Sequence, residues 1–95
     1  MSDTLVITMP GDCTLRAIRT LHGEIAAALA ATANLTLDCS KVERADIAFV
    51  QLVVAAAGTA ERKAKRLALI DAPDLVEGAF ARAGLSAQVS FLRAA

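Results

Sequence analysis

The sequence predicts an α/β fold: a small, mostly parallel mixed sheet with helices packed on it. Three observations carry this. Short β-type runs at residues 4–9, 35–38 and 66–70 alternate with longer stretches whose apolar residues recur every three or four positions. Chain-turning residues fall between them, at Pro10-Gly11, at Asp71-Ala72-Pro73-Asp74 and at Gly84. Strands that alternate with helices of this length imply parallel pairing through right-handed crossovers.

Each element has its own signal. Residues 4–9 (TLVITM) are β-rich and stop at Pro10-Gly11, and residues 12–15 add a short second extended segment. From about Ala17 the period changes. Ile18, Leu21, Ile25, Ala28 and Leu29 form one apolar helix face, while Arg16, Arg19, His22 and Glu24 fall mostly on the other side. Residues 35–38 read as a short central strand. Asp46 then opens a second helix, reaching to about Lys65, with Phe49, Val50, Val53, Val54 and Ala57 as its apolar face. Residues 66–70 (RLALI) are a third β-run. Pro73, with Asp71 and Asp74 available to cap free amides, starts a third helix that faces inward with Leu75, Val76, Ala79, Phe80 and Ala83. Gly84 is placed to end it in a left-handed conformation. The tail alternates around Val89, Phe91 and Leu92, which predicts a final strand.

Composition narrows the function classes. Ninety-five residues make a single domain, 1–95, and 56% hydrophobic with 21% charged residues describes a packed domain, not a disordered one. The formal charge is zero, so no nucleic-acid footprint is expected. The basic cluster Arg62, Lys63, Lys65 and Arg66 reads as a solvated helix C-terminus. No stretch reaches the ~18 uncharged apolar residues of a membrane span, and the N-terminus has no signal-peptide pattern. A cytoplasmic location follows, with Cys13 and Cys39 as small apolar fillers. Two Cys and a lone His22 do not make a metal site, and no cofactor motif is present: the five glycines form no phosphate-binding pattern. His22 reads as an exposed surface residue, Cys39 as a buried thiol, and catalysis is not expected.

Any working site should lie where the 35–38 strand ends and the next helix begins, since ligands and partners meet open α/β layers there. That places it at Asp46, Ile47 and Ala48. Asp46 can cap the helix, contact a partner, or do both. Ile47 and Phe49 make an apolar patch if both point outward; Phe49 is core if it points inward.

The segment from Leu35 to Leu85 resembles the STAS domain, the fold of anti-sigma factor antagonists and of sulfate-transporter cytoplasmic tails. Asp38-Cys39-Ser40 is similar to the strand end Asp-x-Ser, and Asp46-Ile47-Ala48-Phe49-Val50 to the helix opening Asp-Ser/Thr-x-Gly-Leu. Lys65-Arg66-Leu67 and Gly84-Leu85 follow in the family's order, so the likeness runs over residues 4–92. The first strand and helix are similar to single-domain bacterial forms, including those linked to chemotaxis operons and to lipid-asymmetry transporters. Asp46-x-Ala48-x-x-Gln51-Leu52 leans toward the chemotaxis-linked kind.

The resemblance implies a non-enzymatic partner switch. In the family, the Ser or Thr after the helix-opening Asp is phosphorylated by a partner kinase, and the added charge breaks docking. Here that position is Ile47, which has no hydroxyl, and the usual Gly is Phe49. Two expectations follow: a constitutive binding module, or regulation moved to Ser40 or Thr59. Ser40 also reads as a turn residue bonding the local backbone. The implied partner-binding residues are Asp46, Ile47, Ala48, Phe49 and Gln51. The implied partner is an anti-sigma or histidine-kinase-type regulator, or alternatively the ATPase of a lipid-transporting ABC system. Self-association as a homodimer is a third expectation, because an Ala-rich chain of zero net charge with a bare apolar face suits it.

Overall fold

The computed structural model describes residues 4–92, apart from the side chains of Ser90 and Phe91. Strands β1 (Thr4–Thr8), β3 (Asn34–Asp38) and β5 (Arg66–Ile70) form a sheet in the order β1-β3-β5. A two-residue ladder pairs β2 (Asp12–Cys13) with β4 (Arg44–Ala45). Every pairing among the described residues is parallel. Helices α1 (Ile18–Ala31) and α2 (Ile47–Arg62) supply the crossovers, and α3 (Asp74–Arg82) and α4 (Ser86–Leu92) complete the chain.

Register explains the core. Leu5, Leu35 and Leu67 lie side by side, as do Ile7, Leu37 and Leu69, so one sheet face is a block of aliphatic side chains. Leu35, Leu37 and Leu69 share a single buried cluster with Leu21 and Ile25 of α1 and with Phe49 and Val53 of α2. The other face carries Val6, Thr36 and Ala68, small residues that stay partly open.

Two helices end in the same way. At the end of α3, Leu85 N–H reaches Phe80 O at 2.8 Å and Gly84 N–H reaches Ala81 O at 2.9 Å, with Gly84 at φ 76 as expected. At the end of α2 the same pair of bonds runs from Lys65 to Ala60 and from Ala64 to Glu61, but the left-handed residue is Ala64, at φ 57. This motif stops α2 at Arg62, short of the expected Lys65. Lys65 then turns back, and its ammonium donates to Leu29 O near the end of α1.

Three expectations are corrected. Residues 86–92 are a helix, not a strand: Val89 and Leu92 are buried three positions apart, the spacing of one helix face. The Phe91 side chain lies outside the described residues. Neither Asp71 nor Asp74 caps α3; its N-cap is Pro73 with no side-chain bond, and Asp71 takes a left-handed conformation (φ 52) that turns the chain out of β5. The second extended segment shrinks to Asp12–Cys13, because Leu15–Ala17 winds into a 3-10 turn ahead of α1.

Candidate functional site

Two loops meet at the carboxyl end of the sheet, residues 9–15 and 39–46. Met9 N–H donates to Asp38 O at 2.8 Å, and Cys39 N–H to Ile70 O at 3.0 Å, so the chain leaves β1 and β3 in fixed directions. Gly11 O then accepts from both Glu43 N–H (2.8 Å) and Arg44 N–H (2.9 Å). A side chain at Gly11 would sit 3.0 Å from Glu43 Oε1, a contact that the flexible Glu43 side chain can relieve by turning away. The β2–β4 ladder continues the stitching, pairing Cys13 with Ala45. The two loops are therefore one surface.

Asp46 holds its centre. It is extended (φ −128, ψ −173) and caps α2: Oδ1 accepts from Ala48 N–H at 3.0 Å and from Phe49 N–H at 3.3 Å. Its second oxygen is also used. Oδ2 accepts from the N–H of Leu15 at 3.0 Å. One carboxylate thus fixes both the first turn of α2 and the 3-10 turn before α1.

The consequence is an apolar pair in solvent. Leu15 is 72% exposed and Ile47 is 53% exposed, the two most exposed large apolar side chains of this end of the fold. Gln51, one turn beyond Ile47, is exposed on the same side of α2, and Ala48 is half-buried. A shallow groove beside Ile47 is lined by Ala45, Asp46, Ala79, Arg82 and Ala83, so the last turn of α3 supplies a cation to the rim. Leu15 and Arg82 were not legible as site residues. Leu15 looks like part of a strand in sequence, and Arg82 lies 36 positions from Asp46.

Phe49 is corrected. It is fully buried in the core beside Val50 and Val53, so it cannot touch a partner. The third position of a helix whose first residue faces solvent turns toward the sheet, and an aromatic ring there fills the core.

The hydroxyl candidates separate. Ser40 is exposed, and its N–H donates to Asp38 Oδ1 at 2.9 Å, the local turn bond expected of it. The Ser40 amide and hydroxyl hold the Asp38 carboxyl below the usual carboxylate range. Thr59 lies 12 residues along α2 from Ile47, about 18 Å at 1.5 Å per residue, and donates to Ala55 O while accepting from Arg62. It is not part of the site. Asp12 is held low by the Thr14 hydroxyl and amide, which both bond its Oδ1.

Both cysteines are buried beneath this surface. Burial pushes the Cys13 thiol up to about 11 and the Cys39 thiol up to about 12. They are protonated and unreactive near neutral pH. His22 is exposed on α1. No group of three metal-ligating side chains occurs among the described residues.

A family model described as "Mlab, STAS domain" matches residues 1–93. The chain belongs to the STAS domain family. Two solved structures of anti-sigma factor antagonists share its fold. The unphosphorylated form of SpoIIAA is 22% identical, with a TM-score of 0.75, over 92% of this chain and 77% of that one. The phosphorylated form of the Bacillus cell fate determinant SpoIIAA is 19% identical, with a TM-score of 0.75, over 99% of this chain and 83% of that one. Among curated proteins there is no match. In this STAS domain no helix among the described residues is long and apolar enough to cross a membrane.

Proposed function

We propose that this STAS domain is a non-enzymatic, cytoplasmic regulatory module that docks on a protein partner through Leu15, Asp46, Ile47, Ala48 and Gln51. One observation carries the reading: the Asp46 carboxylate binds Leu15 and the first turn of α2 together, presenting two exposed aliphatic side chains as a unit. Exposed apolar side chains held on a rigid, capped frame suit a protein contact better than a polar substrate.

The partner class follows from the fold's likeness to anti-sigma factor antagonists: a kinase-type or anti-sigma regulator, of the sort that also serves chemotaxis signalling. Ile47 fills the position at which family members carry a phosphorylatable hydroxyl. An aliphatic residue there makes docking constitutive, and of the hydroxyls of Ser40 and Thr59 the fully exposed one is Ser40. A second reading has its own support. The matching family model is described as Mlab, and members of this kind are linked to lipid-asymmetry transporters, so a transporter ATPase is the alternative partner.

Capture of the tagged native protein from its own cells, with mass spectrometry of partners and of phosphopeptides in one run, separates the readings. A kinase-type partner supports the first and membrane ATPase subunits the second. Phosphate on the native protein near Asp46, altering binding, would sink the constitutive account.

A further inference from the structure

The sheet has two edges, and they are treated differently. Helix α4 packs against β5 at one edge. The other edge is β1, and among the described residues its only strand partner is β3. Met9 N–H points at β3. Alternate residues of a parallel strand turn their main-chain groups the same way, so Leu5 and Ile7 also face β3, while Val6 and Thr8 turn theirs outward. Exposed edges are ordinarily blunted by charge, proline or a bulge. β1 (TLVIT) contains no charge and no proline, and Leu5 and Val6 are 43% and 53% exposed.

The strand is also its own complement. Read in either direction from Val6, TLVIT gives an aliphatic residue and then a threonine. Antiparallel pairing about a two-fold axis at Val6 sets Val6 against Val6, Leu5 against Ile7 and Thr4 against Thr8. It makes Val6 a hydrogen-bonded pair, as the outward direction of its main chain requires. From these features we infer that β1 is a homodimer interface, joining two copies of the chain into one continuous six-stranded sheet.

The right-handed β1-α1-β3 crossover sets α1 over those two strands. Beyond Glu24 every exposed residue of α1 is alanine: Ala26, Ala27, Ala30 and Ala31. The charged residues Arg19 and Glu24 are exposed on the first half of the helix, and the zero formal charge leaves no net repulsion between copies. The interface uses none of the Leu15–Asp46–Ile47 surface, so it stands or falls independently of the docking reading.

Sedimentation across a concentration series tests it, using the native chain and Val6→Thr, Val6→Lys, Val6→Glu and Ile47→Asp variants. The native chain, Val6→Thr and Ile47→Asp should form reversible dimers. Val6→Lys and Val6→Glu should each raise the dimer Kd about tenfold or more, because like charges then face each other across the axis. An equimolar mixture of the two charged variants should dimerise again, as opposite charges meet. Unchanged circular dichroism confirms that each variant is folded. A native chain that stays monomeric up to roughly 1 mM overturns the inference and leaves the edge for an extended segment of another protein. A dimer indifferent to both charged variants overturns it too, as does a mixture that remains monomeric.

Discussion

The N–H of Leu15 donates to Asp46 Oδ2 at 3.0 Å, across 31 positions of sequence. Oδ1 of the same carboxylate bonds the first turn of α2. Asp46 is thus a helix cap and a tie between loops, and separating these roles is the first prediction. Asp46→Ala removes both and should cost about 1–2 kcal/mol in denaturant unfolding. Asp46→Asn keeps a capping oxygen, but its amide nitrogen cannot accept from Leu15. Amide exchange should therefore accelerate at Leu15 in Asp46→Asn, with the start of α2 still protected. Unchanged exchange at Leu15 would refute the tie.

Ile47 and Phe49 are two residues apart and should respond oppositely. Ile47→Asp removes an exposed side chain and places a negative charge at a helix N-terminus, where it is favourable by about 0.3–1 kcal/mol. Its melting temperature should hold or rise slightly. Phe49→Ala empties a fully buried site and should cost about 3–5 kcal/mol. A large loss of stability in Ile47→Asp would mean that this side chain is core.

The end of α2 offers a stabilising change. Ala64 is held at φ 57, a conformation that costs a non-glycine residue roughly 1–2 kcal/mol. Glycine removes that cost while adding about 0.5–1 kcal/mol of unfolded-chain entropy. Ala64→Gly should stabilise by about 0.5–1 kcal/mol, whereas Gly84→Ala should destabilise by a similar amount. Thermal melts decide, and a destabilised Ala64→Gly would contradict the helix-end geometry.

Alkali should weaken the fold through the two thiols. Their native values, about 11 for Cys13 and about 12 for Cys39, exceed the ordinary 9.0. Their contribution is complete below pH 9, where both folded and unfolded chains hold the proton. Above it the unfolded chain ionises first, so this stability is lost as pH rises toward the native values. Unfolding midpoints measured from pH 8 upward should fall, and less so in a Cys39→Ser variant. A thiol-reactive dye at pH 8 should label the native protein slowly and the denatured protein at once.

Much of this was legible in the sequence, for reasons that differ from element to element. The three strands of the main sheet, the cap at Asp46 and the turn at Gly84 are short local patterns, and α1 repeats its apolar positions every three or four residues over 14, so both are written in contiguous sequence. Tertiary context decided the rest. Val89, Phe91 and Leu92 alternate as a strand would, yet Val89 and Leu92 also sit at helical spacing, and packing against α3 and β5 chose the helix. Phe49 was ambiguous because the turn of α2 relative to the sheet is not written in its neighbours. Leu15 was missed because its role depends on a bond to a residue 31 positions away.

Leu15→Asp and Ile47→Asp, singly and together, in quantitative capture from native lysate test the central claim most directly. The account predicts that one partner held by the native chain is depleted by each substitution and lost in the double variant, with folding and the recovery of unrelated proteins unchanged. Undiminished recovery of that partner with the double variant would contradict it and move the docking site away from Asp46.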